Sequence, residues 1–376
     1  MTAKPTAPSP ALSEDTLRLN AICPYYTMFP LDFPMRQLAE FPKATRVLDP
    51  FCGRGTTLYA ARLAGLPSTG IDINPVAAAI AQAKLVQVTP AAVVRLAARL
   101  LEETRPGEAP EGEFWQWCFE RETLAEIVAL RGALMELETP TAAMLRAVML
   151  GILHGPRNKG VPSYLSNQMP RTYASKPAYA VRFWQKREME PVRVPTLEVI
   201  GRRAAHLLSA TPRACGGRVY LGDSAHTLDS LHQRFDLVIT SPPYYGMRTY
   251  VADQWLRSWF LGGPPEVPYG SEGQIARQPS QDAFIEALAE VWAATARRCR
   301  RGARLAVRFG ALPSVQTDPA EMLRDSLRRA KSGWIIKDVS IAGIPPKRTR
   351  QAEQFGKAGS AIDEVDITAE LIGVAR

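Results

Sequence analysis

The stretch from Thr45 to Leu85 constrains the fold more than any other part of the sequence. It reads in order as a strand (RVL), a glycine-rich turn (DPFCGRGTT), a helix (LYAARLAG), a second strand (GIDI) and a second helix (VAAAIAQAKL). Two short apolar strands joined through a helix form a βαβ unit, in which the strands are parallel. We therefore expect an α/β sheet to begin here.

The same alternation of strands and helices returns after residue 215. GRVYLGDSAHTL and FDLVIT read as strands, DAFIEALAEVWAATARRCR as a helix and ARLAVRF as a further strand. Two strand-like runs, GWIIKDVSIAG and DEVDITAELIGVA, follow. This order predicts an α/β fold with a doubly wound, Rossmann-like sheet and an antiparallel C-terminal strand pair.

Residues 86–215 have a different character. AAVVRLAARLLEE, ETLAEIVALRGALMELE and AAMLRAVMLGILHG carry the apolar spacing of packed helices. We predict a large, mostly helical insertion at 86–215, between the second and third strands of a domain built from 19–85 and 216–376. The first 18 residues are rich in Pro, Ser, Thr and Ala, and they are predicted to form a disordered leader.

Composition narrows the class of protein. The five cysteines include no CxxC pair and the four histidines are dispersed, so neither a zinc centre nor a disulfide framework is expected, and no metal is predicted. No apolar run reaches the roughly 18 to 20 residues that span a bilayer, and no secretory signal is visible, which predicts a cytoplasmic protein without a membrane partner. A net charge of +9 favours an anionic partner.

The glycine-rich turn from Asp49 to Thr57 indicates a ligand site. A strand, a GxG turn and a helix N-terminus let the backbone approach a ligand, and Asp72 lies 23 residues beyond Asp49, near the spacing at which an acid meets ribose hydroxyls. Neither GxGxxG nor GxxxxGK[ST] is present, which points to a nucleoside without pyrophosphate, S-adenosylmethionine. Asp49 would face the methionine ammonium and Asp72 the ribose. Asp223 would lie near the adenine, or would merely cap the following helix.

Three motifs together carry a resemblance to a known family. VLDPFCGRGTT, GIDINP and TSPPYY resemble, in that order, the cofactor, ribose-acid and catalytic motifs of amino-group DNA methyltransferases, and CPYYTMFPLDFP resembles the segment that covers the methionine end of the cofactor. The large insertion departs from the usual pattern, since it follows GIDINP rather than the third-strand motif. The resemblance implies a methyltransferase sheet that binds S-adenosylmethionine. The implied cofactor-binding residues are Tyr26, Thr27, Asp49, Pro50, Phe51, Gly53, Gly55, Thr56, Thr57, Asp72, Ile73, Asn74, Asp223 and Ser224.

The tetrapeptide Ser241-Pro242-Pro243-Tyr244 is the predicted catalytic loop, although prolines also simply terminate strands. Ser241 Oγ and the carbonyl of Pro242 would accept the two hydrogens of an exocyclic amine, while Tyr244 would stack on a flipped-out base and Tyr245 would wall the pocket. In the resembling family, Ser-Pro-Pro-Tyr is typical of cytosine-N4 enzymes and Asp-Pro-Pro-Tyr of adenine-N6 enzymes. Cytosine-C5 chemistry is disfavoured because the chain has no Pro-Cys pair.

Alternatives to a cytosine-N4 DNA methyltransferase stay open from the sequence. They are an adenine-N6 DNA methyltransferase, an RNA or protein amide methyltransferase, and a non-catalytic DNA-binding subunit that keeps the fold. Since no stretch is left for a fused nuclease, any cognate restriction endonuclease is expected to be a separate protein.

Seven basic and no acidic residues lie between Pro156 and Arg187, interleaved with aromatic and amide side chains. Basic groups suit phosphates and amides suit base edges, so this tract is predicted to contact double-stranded DNA, the alternative being a solvated basic loop. RRCRRGAR is interpreted as a helix end, and Trp255 and Trp259 as core. The predicted DNA-binding residues are Arg157, Lys159, Asn167, Gln168, Arg171, Lys176, Arg182, and in a later loop Lys347 and Arg348.

Overall fold

A computed structural model gives the architecture of the chain. It describes residues 13–24, 29–42, 44–156, 160–169, 176–246, 252–267, 275, 278–310, 317–342 and 364–373.

Seven strands form one sheet in the order β3-β2-β1-β4-β5-β7-β6. The strands are β1 (Val47–Asp49), β2 (Ser68–Asp72), β3 (Gly217–Leu221), β4 (Phe235–Thr240), β5 (Cys299–Gly310), β6 (Trp334–Ile341) and β7 (Glu364–Leu371). The first five are mutually parallel, whereas β7 runs antiparallel to both β5 and β6. The predicted doubly wound α/β sheet with antiparallel C-terminal strands is therefore confirmed.

Fourteen α-helices accompany these strands in the described part of the chain. They are α1 (Glu14–Asn20), α2 (Asp32–Leu38), α3 (Thr56–Leu63), α4 (Pro75–Ala83), α5 (Pro90–Glu103), α6 (Glu113–Cys118), α7 (Arg121–Met135), α8 (Pro140–Ile152), α9 (Pro177–Gln185), α10 (Thr196–Leu207), α11 (Ser224–Thr227), α12 (Trp255–Phe260), α13 (Gln281–Arg298) and α14 (Pro319–Arg329). Short 3-10 helices occupy Leu228–Ser230 and Ala252–Gln254.

The two faces of the sheet bury alternate residues of the same strands, as a strand period of two requires. Leu48, Val238 and Val307 point to the face that packs against α13 and α14, where Trp292 is buried. Leu237 and Ala306 point to the opposite face, which α2 and α3 cover. Because both faces are covered there, the middle of β4, from Leu237 to Ile239, reads in sequence as a continuous apolar run.

The six helices α5 to α10 lie between β2 and β3 in the chain, and together with α4 and α12 they bury a third, largely helical core. Helix α8 is buried over almost its whole length. Trp255 and Trp259, on α12, are buried against Trp115 of α6, which confirms their interpretation as core residues. The helical block is thus packed onto the segment that follows Ser241-Pro242-Pro243-Tyr244 in sequence.

Several helices begin at a polar cap followed by proline. Asn74, Thr89, Thr139 and Asp318 each accept a backbone N–H in the first turn of their helix, and proline occupies the next position. Proline costs nothing at that position because the N–H it removes has no partner within the helix.

Two boundary predictions differ from the structure. The disordered leader predicted for residues 1–18 is wrong over its last part, because α1 begins at Glu14, Ser13 caps it, and the Tyr59 hydroxyl donates to the Thr16 carbonyl. The tract RRCRRGAR is only partly a helix end, since β5 already begins at Cys299. Several of its arginines form ion pairs at the surface, including Arg297 with Asp229. These pairs agree with a structural role for the tract.

Within the described residues, no helix is long and apolar enough to cross a membrane. No group of three or more histidine, cysteine or acidic side chains is arranged to hold a metal ion in that same part of the chain.

Candidate functional site

The parallel register brings the predicted cofactor and catalytic residues to one edge of the sheet. Val47 and Leu48 of β1 pair with Leu237 and Val238 of β4, so Asp49 and Thr240 end their strands side by side. Asp72 ends β2 on the other side of β1. In a doubly wound sheet, ligands bind outside such carboxyl ends.

Asp49 is the most deeply buried acid of this edge, with only 1% of its surface exposed. Its Oδ1 accepts from the Thr240 hydroxyl at 2.6 Å and from the backbone N–H of Phe51 at 3.1 Å. Its Oδ2 is buried and has no hydrogen-bond partner among the described residues. Burial raises the pKa of Asp49 to about 6, against the lowering effect of the hydrogen bonds from the Thr240 hydroxyl and the Phe51 amide. No ion pair joins Asp49 to a described residue, so its ionised form has no compensating cation in that part of the chain.

The glycine-rich loop after β1 contains two glycines with different roles. Gly55 has a φ of 77°, and a Cβ there would lie 2.9 Å from Ala81, so it allows α3 and α4 to pack closely. Gly53 has a φ of 50° and nothing within 4 Å of a would-be Cβ. No atom of a described residue lies within 4 Å of that Cβ position, so a ligand could approach the backbone at Gly53.

Asp72 is half-buried, and both of its oxygens hold backbone amides. Oδ2 accepts from Gly53 N at 2.8 Å and Oδ1 from Asn74 N at 2.9 Å. Burial raises the pKa of this carboxyl to about 6 in spite of those two bonds. Each oxygen keeps a second lone pair for a hydroxyl donor. Ile73 next to it is an exposed large apolar side chain, whereas Asn74 accepts from Val76 N as the cap of α4.

Asp223 and Ser224 follow β3 at the same edge. Asp223 accepts from Ala225 N at 2.8 Å and so caps α11, the alternative role considered for it; part of its side chain stays exposed. Ser224 is buried, and its hydroxyl donates to the Pro50 carbonyl. Its contact with a cofactor would therefore be through the loop that it supports.

The remaining residues of the cofactor motif lie inside the fold. Thr56 and Thr57 are buried in the first turn of α3, and the Thr57 hydroxyl donates to the Ile239 carbonyl at 3.2 Å. Phe51 is half-buried and packs edge-on against Trp292. These contacts hold the loop in place. Tyr26 and Thr27 lie outside the described residues.

The tetrapeptide begins directly after β4. Ser241 and Pro243 are half-buried and Pro242 is buried. The Tyr244 ring packs edge-on against Phe309, and its hydroxyl donates to Glu364 at the start of β7. The Tyr245 ring lies 5.2 Å from that of Phe284. Both tyrosines are thus fixed to the sheet and α13 rather than projecting freely.

The predicted DNA-binding residues separate into three groups. Asn167 is buried, and its amide donates to the carbonyls of Trp117 and Met189, so it has a packing role instead of the predicted base contact. The Gln168 carbonyl accepts from the indole of Trp184. Lys176 and Arg182 are exposed at α9. The rest lie outside the described residues: Arg157, Lys159, Arg171, Lys347 and Arg348.

A cluster of buried cations, not predicted from the sequence, lies beside the glycine loop. Arg54 donates to the carbonyls of Cys23, at 3.2 Å, and of Asn20, and Lys84 donates to Asn20 Oδ1 at 2.8 Å. Arg257 donates to the Pro24 carbonyl. Burial lowers the pKa of Arg54 to about 10 and holds that of Lys84 well below its usual range. We call the bonds from Arg54 to the Asn20 and Cys23 carbonyls the Arg54 clamp. The one sequence signal for it is the position of Arg54 between Gly53 and Gly55.

The chain is similar to known proteins in structure only, and the similarity is low. No protein-family model matches the chain, and no curated protein matches it in sequence. The rRNA methyltransferase aviRa from Streptomyces viridochromogenes is 15% identical, with 97% of this chain and 94% of that chain covered and a TM-score of 0.38. TrmN from Thermus thermophilus is 11% identical, with 90% and 47% covered and a TM-score of 0.33.

A TehB-like SAM-dependent methyltransferase from Corynebacterium glutamicum is 9% identical, with 90% of this chain and 86% of that chain covered and a TM-score of 0.33. All three TM-scores lie below 0.5, so these likenesses do not establish the activity of this chain.

Proposed function

We propose that this chain transfers a methyl group from S-adenosylmethionine to the exocyclic amine of a flipped-out base in double-stranded DNA, at cytosine N4. The observation that carries the proposal is the hydrogen bond between Asp49 and Thr240. Through this bond Asp49 contacts Thr240, the residue directly before Ser241-Pro242-Pro243-Tyr244. The other carboxylate oxygen of Asp49 has no partner among the described residues. A site for a cationic ligand thus adjoins a loop suited to a planar amine.

The residues at the sheet edge fit this cofactor. The unpartnered Oδ2 of Asp49 suits an ammonium, the strongest kind of donor that a carboxylate can take. Asp72 retains lone pairs for ribose hydroxyls, and the exposed Ile73 offers an apolar surface to a purine. The space above Gly53 admits a ligand against the backbone.

S-adenosylmethionine held by Asp49 and Asp72 would supply an electrophilic methyl group; the amine nitrogen would displace the thioether sulfur and then release its proton to solvent. Ser241 Oγ makes no hydrogen bond to any described residue, so it is available to accept one amine hydrogen. The Pro242 carbonyl, in a loop that two prolines stiffen, would accept the other. Two acceptors orient the nitrogen lone pair, and alignment supplies most of the acceleration.

The choice of cytosine depends on Ser241, through the resemblance of SPPY to cytosine-N4 enzymes. A serine hydroxyl is neutral at all working pH values, so it orients the amine without adding a negative charge to the pocket. The Tyr244 ring, held by Phe309 and Glu364, would contact the base.

Helix α9 supports DNA as the partner. Tyr179, Arg182 and Lys186 form one exposed face, while Val181 and Trp184 are buried on the other. Neither Arg182 nor Lys186 forms an ion pair with any described residue. Trp184 packs on Phe114, which packs on Trp255 of α12. The basic face is therefore carried on the aromatic core that adjoins the segment after the SPPY loop.

The test is to incubate the protein with labelled S-adenosylmethionine and DNA, RNA or protein, and to identify modified nucleosides by mass spectrometry. N4-methylcytosine in the DNA is the expected product. N6-methyladenine alone would overturn the choice of base, and label in RNA or protein only would overturn the choice of substrate. Absence of cofactor binding by calorimetry would overturn methyl transfer and favour the alternative of a non-catalytic DNA-binding subunit.

A further inference from the structure

Thr240 joins the two halves of the site through its side chain and its place in the chain. Its hydroxyl lies 2.6 Å from Asp49 Oδ1, and the side chain has no exposed surface. The next residue is Ser241. One residue therefore connects the predicted ammonium-binding carboxylate to the predicted amine-binding loop.

The Thr240 hydroxyl determines which oxygen of Asp49 is left for a ligand. Oδ1 is occupied by Thr240 and by the amide of Phe51, and only Oδ2 lacks a partner among the described residues. A carboxylate held by two donors on one oxygen cannot rotate freely about its Cβ–Cγ bond. The free oxygen is thereby kept in one direction.

The end of β4 is held from a second side as well. The Thr57 hydroxyl, in the first turn of α3, donates to the carbonyl of Ile239, the residue before Thr240. The end of β4 is thus tied to β1 through Thr240 and to the glycine-loop helix through Ile239. The start of the SPPY loop has a fixed position relative to Asp49, because Thr240 and Pro242 are both buried.

We propose that Thr240 is a positioning residue that fixes the cofactor-binding carboxylate Asp49 and the amine-binding Ser241 relative to each other. This inference rests on the proposed function, since it assigns roles at that same site. In-line transfer is sensitive to geometry, and a displacement of about 1 Å can cost roughly 100-fold in rate. A group that couples the two binding sites therefore affects both cofactor affinity and turnover.

A pH readout separates this role from simple packing. The Thr240 hydrogen bond is the largest factor that lowers the pKa of Asp49, which burial raises to about 6. Among the described residues, the titratable groups that act electrostatically with Asp49 include Asp72 from β2 and the Cys52 thiol of the glycine loop, whose pKa burial raises well above its usual range. Loss of the Thr240 hydroxyl should raise the pKa of Asp49 further, so that ammonium binding needs a higher pH.

The experiment compares Thr240→Val and Thr240→Ser with the wild type. Calorimetry measures the affinity for S-adenosylmethionine between pH 5 and 8, and single-turnover methylation of DNA measures the rate with saturating cofactor. Thr240→Val should shift the pH dependence of cofactor affinity upward by about one pH unit, a tenfold change in proton affinity, and slow turnover at least tenfold. Thr240→Ser keeps the hydroxyl and should restore both.

Thr295→Val is the matched control, since Thr295 is equally buried, on α13, and its hydroxyl has no partner among the described residues. It should leave both readouts unchanged. A Thr240→Val protein with the wild-type pH dependence, or a Thr240→Ser protein that behaves like Thr240→Val, would overturn the coupling alone. A wild type that binds no cofactor would overturn the proposed function together with the coupling.

Discussion

The backbone amide of Gly53 donates to Oδ2 of Asp72 across 2.8 Å. This bond ties the glycine-rich loop to the end of β2, so the loop conformation and the carboxylate position depend on each other. A second donor, the amide of Asn74, occupies the other oxygen. The loop and the carboxylate are thus held in place by bonds within the protein, which would reduce the ordering cost of binding a ligand there.

Replacing Asp72 tests that organisation. Asp72→Asn exchanges one acceptor oxygen for an NH₂ group that cannot accept from Gly53, and it removes the charge. Hydrogen bonds to charged groups contribute about 1.5–3 kcal/mol, so cofactor affinity should fall roughly 10- to 100-fold by calorimetry. Asp338→Asn, on exposed β6, is the control and should bind as the wild type does. Equal affinities for both variants would remove Asp72 from the cofactor site.

Ser241 can be separated from cofactor binding. Ser241→Ala removes one acceptor for the amine hydrogens while Asp49 and Asp72 stay in place. The rate of methyl transfer should fall about tenfold or more, with cofactor affinity within about twofold of the wild type. Single-turnover kinetics and calorimetry measure the two quantities. A Ser241→Ala protein with full activity would exclude the serine from the mechanism.

The sequence predicted the sheet and its site more completely than the contacts that support them. Strand pattern and the GxG turn placed Asp49, Asp72 and Ser241 correctly at strand ends, because chain direction and parallel pairing follow from local pattern. The Thr240 contact and the Arg54 clamp join residues far apart in sequence, which no local pattern encodes. Asn167 was predicted as a DNA contact because exposed and buried amides look alike in a sequence.

The pKa of Asp49 predicts an unusual pH dependence of stability. Because burial raises its folded-state pKa from 3.8 to about 6, the stabilising effect of its proton is complete below about pH 4 and is lost as the pH rises through about 6. This rise in the pKa of Asp49 corresponds to about 3 kcal/mol in the free energy of unfolding. The free energy of unfolding by urea, measured from pH 4 to 7, should therefore contain a component that falls with pH.

Asp49→Asn isolates the contribution of Asp49 to the free energy of unfolding. The isolation is needed because carboxyls whose pKa is lowered, such as Glu120, make the protein more stable as the pH rises. Relative to the wild type, the variant should gain stability as the pH rises from 4 to 7. A difference between the two proteins that is constant over this range would contradict the assignment. Cofactor affinity in the wild type should show the reverse trend and strengthen above about pH 6, where Asp49 is ionised.

The buried Arg54 should stabilise the fold because it holds residues 20–23 through hydrogen bonds to their carbonyls. Arg54→Met would leave the carbonyls of Asn20 and Cys23 without their donor, at a cost of about 1–3 kcal/mol for each buried group. The free energy of unfolding should fall by roughly 2–6 kcal/mol. Arg301→Met, at an exposed position of β5, should change it by less than about 0.5 kcal/mol. Similar losses in both variants would contradict a specific clamp.

The exposed face of α9 gives the last prediction. Arg182→Ala with Lys186→Ala should weaken DNA binding and reduce the slope of log K against log salt by about two, since each phosphate contact contributes about 0.9. The control is the double variant Arg328→Ala with Lys331→Ala. Arg328 is exposed on α14, and Lys331 is exposed just after that helix. Both double variants lower the net charge from +9 to +7. Fluorescence anisotropy at several salt concentrations compares them. Because both proteins carry the same total charge, a loss confined to the α9 variant would locate the phosphate contacts on that helix, and equal losses would reduce the basic face to a general charge effect.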